Sequence, residues 1–396
     1  MKIGNIENQF LGYLFIFFVF FPYITIIHIG TDIQPYALLL AMLIFVKYRL
    51  TFSPIMVLLM LLGVYSVILF FMSPMGMSEI RSMVNYLSIF LISYVSYKLL
   101  RKKRVNLEWV ISNVTITWFI VGLVQTLVDR EFLNFLLPRA LTTDHRGVVG
   151  LTPEPTFYGI YFIFILLIIT HIKHKYKKTL IFLCVMQIIV FSMSATAVLL
   201  LLIMFVLMII TSGKFFSIKR LFWLILAILI FILYLSLVPQ SRMSLLLDRL
   251  FDNPYKLVLR DESVNDRFFH MFFSVKGFFE NIFLPHGYGA WKEYLIRNIA
   301  IYREYILLKF FSIGDRIMSG YGSALFEVGI FALIIPFSII SLLFNIYKSQ
   351  PGKFIFYSVF INLIMFSAIQ LAFPVFAFYI GFLNYLHTEE NREIIA

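Results

Sequence analysis

The sequence predicts an all-α, polytopic integral membrane protein of about twelve transmembrane helices, and three observations carry that prediction. Of its 396 residues, 61% are hydrophobic and only 14% are charged, a balance too apolar for a soluble domain. Apolar runs of about 20 residues recur along the chain, each enough to cross a hydrocarbon core of roughly 30 Å. Lysine and arginine gather in alternate turns between these runs, as the positive-inside rule requires of a multi-span protein.

The spans fall, in order, at 9–28, 33–47, 53–72, 82–100, 108–128, 157–172, 179–195, 197–211, 221–238, 323–347, 354–371 and 373–388, the last two readable as one hairpin broken at Pro374. The first follows Lys2 and lacks a small-residue cleavage site, so it reads as an uncleaved span rather than a signal peptide. The turns holding Lys47 and Arg49, and those at 98–104, 173–178, 214–220 and 348–353, carry sixteen lysines and arginines, whereas the short turns of opposite parity carry only Arg81. This places the basic turns and both termini in the cytoplasm. The net charge of +12 therefore records orientation, not affinity for nucleic acid. The single cysteine, Cys184, lies within a span, and the outer loops have none to pair. With no repeat and no soluble domain, 1–396 reads as one membrane domain carrying two large outer loops, 129–156 and 239–322.

Those loops are where chemistry can reside. The cytoplasmic turns are too short to fold around a nucleotide and hold no phosphate-loop or kinase signature. An outward active site has no ATP, so the driving energy must arrive with the substrate, for example as a lipid diphosphate leaving group. In the first loop, Thr152-Pro-Glu-Pro155 resists helix because each proline pushes the residue before it toward extended geometry. Glu154 is thereby held at the mouth of the next span, where Thr156 is placed to cap the helix. A carboxylate fixed there near Arg139 and Arg146 suits a general base, and the alternative is a helix-entry turn whose glutamate pairs with an arginine.

The second loop begins as a polar stretch and continues as an amphipathic helix over 267–283, with Arg267, His270, Ser274, Gly277 and Asn281 in one stripe and phenylalanines elsewhere. Such a helix lies in the interface, where Arg267 and His270 could face a lipid head group. Pro285-His-Gly-Tyr-Gly289 follows, a turn whose glycines allow backbone N–H groups to approach an anion. Arg297, Arg303, Lys309 and Arg316 come next, readable either as a diphosphate clamp or as a solvated helix balanced by Glu293, Glu304 and Asp315. Glu327 then sits about one turn inside a span and needs a partner, for which Arg81 is a candidate. Arg81, Asn85 and Ser88 make a polar stripe on the fourth span of the kind that more often serves helix packing.

Together these residues resemble the O-antigen polymerases, within the superfamily they share with O-antigen ligases. Leu151-Thr-Pro-Glu-Pro-Thr-Phe-Tyr-Gly159 is similar to a Glu-Pro element of the polymerases, and Arg139 and Gly150 enclose ten residues, a spacing like that of a polymerase arginine motif. Arg267, Gly277, Asn281, Pro285, Gly287, Gly289, Gly322, Glu327 and Gly329 follow the order of the shared long-loop pattern. Ser192-Met-Ser-Ala-Thr196 departs from the Ser-x-Ser-Arg form of relatives, and the long loop holds no second arginine motif.

The resemblance implies a GT-C-like glycosyltransferase of a bacterial inner membrane, with the two large loops in the periplasm. It would join undecaprenyl-diphosphate-linked repeat units into O-antigen or a related surface polysaccharide by inverting transfer, without metal or cofactor. The lipid-linked donor and acceptor would be its substrates, membrane lipid its surroundings and a chain-length regulator a partner. Glu154 or His286 would act as base, while Arg139, Arg146, Arg267, Arg303 and Arg316 would stabilise the departing diphosphate, with Arg81, His270 and Glu327 in the substrate-binding set. Two rivals share the topology. An O-antigen ligase would pass the chain to lipid A-core, and a lipid-linked oligosaccharide flippase would need a polar path through spans that here are strongly apolar.

Overall fold

The computed structural model of the chain describes residues 3–27, 31–47, 51–142, 146–211, 244, 248, 251–253, 258–259, 261–309, 311–314, 316–367 and 369–395. The span read at 221–238, the basic turn at 214–220, Arg49 and Asp315 lie outside the described residues. Among the described residues every regular element is helical. The helices are α1 (Ile3–Phe20), α2 (Tyr36–Lys47), α3 (Pro54–Phe71), α4 (Met77–Arg101), α5 (Leu107–Leu127), α6 (Pro155–His171), α7 (Lys177–Met186) and α8 (Ala195–Thr211). They continue as α9 (Glu262–Glu280), α10 (Trp291–Ile301), α11 (Gly320–Val328), α12 (Ile334–Ile346), α13 (Pro351–Ser367) and α14 (Pro374–Ile395).

Among the described residues, four helical stretches are long and apolar enough to cross a membrane: Pro54–Phe71, Met77–Arg101, Leu107–Leu127 and Gly320–Ile346, the last joining α11 to α12 through a 3₁₀ turn. The chain is thus a helical protein of membrane character. Local signals set several ends. Ser53 caps α3 by accepting from the Met56 amide, with Pro54 as the first helical residue, and Asn106 caps α5 by accepting from Trp109.

The chain divides into two compact units. One comprises 1–49, 91–245 and 374–389, and its centre is α6, buried along nearly its whole length. A helix apolar on every side suits either a packed interior or lipid, and here protein encloses it. Trp118 of α5 stacks on Tyr161 with ring centroids 4.4 Å apart, and Tyr158 donates to the Trp118 carbonyl at 3.2 Å. Glycines permit these approaches: a Cβ on Gly159 would lie 2.3 Å from that of Ala197 on α8, and one on Gly122 would lie 2.4 Å from the Tyr158 hydroxyl. The end of α7 widens into a π turn, Gln187–Phe191, against which α6 packs.

The other unit comprises 50–90, 246–373 and 390–396. Here α9 packs on α10, α11 and α13 around Phe269, Phe273, Trp291, Leu295 and Phe326. Asp261 caps α9, accepting from Val264 at 3.0 Å, so the helix starts ahead of the 267 read from sequence and ends before 283. Its buried side carries Asn265, Asp266, His270, Ser274 and Gly277 as well as Phe269, Phe273 and Phe278, while Phe268 and Phe279 are exposed. Of the polar stripe, His270, Ser274 and Gly277 therefore point into the fold, against the reading of His270 as facing a lipid head group, while Arg267 and Asn281 are half-buried. The reason is local: Asn265 bonds the carbonyls of Val258 and Tyr305 and the amide of Leu307, and Asp266 accepts from the Ser312 amide and hydroxyl.

Candidate functional site

In the first unit, the sequence-predicted carboxylate is the N-cap residue of α6. Glu154 has extended backbone (φ −147°, ψ 150°), as the residue before a proline must, and its side chain makes no cap bond. Pro155 opens the helix, so Thr156 is not the cap; its hydroxyl instead accepts from Ser194 at 3.2 Å. Thr152 pins the turn, its hydroxyl donating to the carbonyls of Val149 at 2.8 Å and Glu154 at 2.7 Å. The Glu154 carboxylate is then free of backbone duty and turned toward a cation.

That cation is Arg139. Its Nη2 stands 3.1 Å from Glu154 Oε1, and its Nε and Nη2 bind Asp32 Oδ1 and Oδ2 at 2.8 and 2.9 Å. Asp32, in the turn before α2, thus takes the two-pronged face of the guanidinium and Glu154 shares only one nitrogen. The Asp32 hydrogen bonds, more than the Glu154 contact, hold the Arg139 pKa above its ordinary value. Sequence reading missed Asp32. The available signal was a lone carboxylate in the short turn before α2.

Arg146 lines a cavity of about 330 Å³ with Arg130, the end of α5, Gly147, the π turn and Met193. Gln125 fastens the adjoining loop by accepting from the Gly150 amide at 2.7 Å and donating to its carbonyl at 2.9 Å. Gly150 itself needs its glycine, with φ +60° and the Tyr158 ring against its Cα. Arg130, also unforeseen, donates to the carbonyl of Arg146 at 2.5 Å and to the Thr142 hydroxyl at 3.2 Å.

In the second unit, Glu327 accepts from Ser82 at 2.8 Å and Tyr86 at 2.7 Å. Its partners thus come from α4, as expected, but they are hydroxyls rather than Arg81, which is half-buried on the same helix. His286 stacks face to face on Phe326 at 4.2 Å, and its Nε2 lies 3.0 Å from the Gly277 carbonyl. A carbonyl only accepts, so in the neutral ring Nε2 carries the proton and Nδ1 keeps the lone pair. Two of the turn's amides are occupied by protein: His286 N–H donates to the Phe326 carbonyl and Gly287 N–H to that of Glu327. Gly289 packs close to the buried carboxylate of Glu79, to which Ser78 donates at 2.8 Å.

His270 has no exposed surface. Its Nε2 stands 3.1 Å from the Ser312 carbonyl and 3.4 Å from Asp266, between the rings of Trp291 and Phe311. Burial raises the Asp266 pKa, but bonds from His270 and Ser312 outweigh it and leave the group below its ordinary value. Arg267 is half-buried on α9, and Arg303 and Arg316 are exposed on either side of the 305–312 segment. Arg297 is paired with Glu293 one turn back along α10. No family model matches the chain, and no curated protein matches it.

Proposed function

We propose that the chain is a polytopic membrane glycosyltransferase of the O-antigen polymerase type, which extends a lipid-diphosphate-linked polysaccharide at the outer face of the membrane. The observation that carries this reading is the Asp32–Arg139–Glu154 triad at the entrance of α6. Glycosyl transfer to a sugar hydroxyl needs a base that removes one proton as the diphosphate departs. Glu154 meets that need: Oε1 is tethered by Arg139, and Oε2 is the oxygen left to take the proton. Asp32 takes the two-pronged face of Arg139, so that Arg139 fixes the orientation of Glu154 through a single contact.

Stabilising the departing diphosphate falls to cationic side chains of the outer loops, Arg146 in the first and Arg267, Arg303 and Arg316 in the second. The order of bonds is simple. The acceptor oxygen attacks the anomeric carbon, the bond to the diphosphate oxygen breaks with its electrons, and the acceptor proton passes to Glu154. One displacement inverts the anomeric centre. A ligase reading draws on a different observation, the Nδ1 lone pair of His286, since a loop histidine is the base that reading would use.

The test is a reconstitution. Purified protein is given its cognate lipid-diphosphate-linked repeat unit in the presence of EDTA, and products are resolved on a gel. A ladder rising one repeat at a time, lost in Glu154→Gln but kept in His286→Ala, is expected. Transfer only when lipid A-core is supplied would replace the polymerase by a ligase. Neither product, with lipid scrambling in vesicles, would replace both by a flippase.

A further inference from the structure

We infer that the turn joining α9 to α10 is a re-entrant wedge seated in the hydrocarbon of the bilayer, its exposed side chains partnered by lipid acyl chains. Three observations within the second unit lead there, and none depends on the transferase reading. The first is depth. Gly320–Ile346 is 27 residues long, about 40 Å at about 1.5 Å per residue, against a hydrocarbon core of roughly 30 Å. Centred on that core it overhangs each boundary by about 5 Å, which leaves Gly329 about 8 Å below the boundary at the Gly320 end. The turn meets the span at this level. The Phe283 carbonyl accepts from the Ile330 amide at 2.9 Å, and a Cβ on Gly329 would lie 2.6 Å from that carbonyl oxygen and 2.7 Å from the Pro285 nitrogen. On the way in, α9 runs beside α11, with Ser274 against Gly322 and Gly277 against Phe326. The chain then turns back toward the Gly320 end, where His286 and Gly287 donate to the carbonyls of Phe326 and Glu327.

The second observation is pairing. Irregular backbone persists at membrane depth only where its polar groups are satisfied within the protein. Here two irregular segments satisfy each other. Gly329 breaks the span with a φ of +62°, which frees the Ile330 amide and the Phe326 and Glu327 carbonyls for the turn. Within the turn, the amides of Asn281, Ile282, Phe283 and Leu284 donate to the carbonyls of Gly277, Phe279, Phe278 and Asn281. The Asn281 side chain donates to the carbonyls of Leu284 and Pro285. Every amide from 281 to 287 thus has a protein acceptor, Pro285 having none to place. The third observation is the outward surface. Phe279, Ile282, Phe283 and Leu284 are exposed, Ile282 by 76%. Ile282 and Phe283 hold φ values of +53° and +65°, positions that an aqueous turn would give to glycine or asparagine. The patch continues onto Ile330 and Leu333, exposed residues of the span itself, so the lipid that meets them meets the turn as well. Glu280, the charged residue nearest the tip, is turned to α10, with Lys276 at 3.1 Å and the Tyr294 hydroxyl at 2.6 Å. The stretch 239–322 is therefore not one aqueous loop, because it dips into the membrane near its middle.

Site-directed spin labelling tests the level of the turn. Full-length protein in phosphatidylcholine–phosphatidylglycerol nanodiscs carries a labelled cysteine at Ile282 or Leu284, at exposed Lys292 as the aqueous reference, or at exposed Phe337 as the lipid reference. Cys184 is buried and adds little background. Collision of the label with oxygen, which concentrates in hydrocarbon, is compared with collision with a water-soluble nickel chelate. Ile282→Cys and Leu284→Cys are expected to group with Phe337→Cys, at an oxygen-to-nickel ratio at least about threefold that of Lys292→Cys. Unlabelled, both should escape a water-soluble maleimide in the nanodisc and react once the protein is unfolded in dodecyl sulphate. Should one variant fold poorly, the other still decides. A ratio like that of Lys292→Cys, or ready maleimide labelling, overturns the proposal and returns the turn to water. Low collision with both reagents overturns it too, and spin–spin broadening would then assign the patch to a second copy of the chain. Because no turnover is measured, these outcomes stand whether or not the chain polymerises sugars.

Discussion

At the scale of single residues, two charged constellations invite opposite tests. Arg139 bridges Asp32 and Glu154 through a planar fork, and lysine keeps the charge without that geometry. Arg139→Lys is therefore expected to lose most of the ladder-forming activity, whereas a role for charge alone would be rescued. A double-mutant cycle on Asp32→Asn and Arg139→Gln should give a coupling of about 1 kcal/mol in thermal or denaturant stability, since Arg139 is 39% exposed and screening limits the pair. Glu327 is the reverse case, enclosed and served by two hydroxyl donors. Glu327→Ala leaves Ser82 and Tyr86 without their acceptor and should cost about 1–3 kcal/mol, while Arg81→Ala should cost little. Melting temperatures of the two variants in one detergent decide it. The carboxylate at 154 was legible because two prolines announce it. Asp32 was not, because an ion pair between residues 107 positions apart leaves no local pattern.

At the scale of elements, α9 shows where periodicity stops informing. The steps of three and four that mark Arg267, His270 and Ser274 correctly announced a helix, but His270 and Ser274 within that stripe are buried rather than turned to the surface. Polarity predicts exposure only while a side chain has no internal partner, and here the 305–312 segment supplies backbone groups for Asn265, Asp266 and His270. That arrangement has a pH signature. The Asp266 carboxyl lies below its ordinary pKa in the folded protein, so its contribution is complete above about pH 4 and disappears as pH falls through the lower folded value. Protonation releases Ser312 and the segment that it anchors. Limited pepsin digestion at falling pH should thus open the chain near 303–314 first. Asp266→Asn should show that cleavage already at the higher end of the range, with no further pH dependence from this source. The glycines of the first unit make a second element-scale case. Gly159 allows α8 to approach α6, and Gly159→Ala places a methyl where Ala197 already stands, at an expected cost of about 1–3 kcal/mol.

At the scale of the whole molecule, composition revealed the helical membrane character, and each read span within the described residues coincides with a helix. Among the described residues, four stretches have the length and hydropathy to cross a bilayer on those grounds alone. Helices such as Tyr36–Lys47 and Ala195–Thr211 are apolar but shorter, so the count of crossings cannot be read from length. Orientation rests instead on the sixteen-to-one charge asymmetry of the short turns, and that asymmetry makes a prediction independent of any chemistry. Cys184 is buried, so a folded protein offers little background to a thiol reagent. Single cysteines can then be placed at exposed positions, Leu141 and Leu308 in the long loops and Lys175 and Lys348 in the basic turns. A membrane-impermeant maleimide applied to spheroplasts should label Leu141→Cys and Leu308→Cys at once, and Lys175→Cys and Lys348→Cys only after permeabilisation. The reverse pattern would put Glu154 and Arg146 on the cytoplasmic side, where nucleotide-activated sugars are available and a lipid diphosphate donor is no longer required. Labelling of both long loops from opposite sides would mean an odd number of crossings between them. In that case the arginines of 297–316 could not share a substrate with Glu154, and any transfer chemistry would have to be assembled from the residues of the first unit alone.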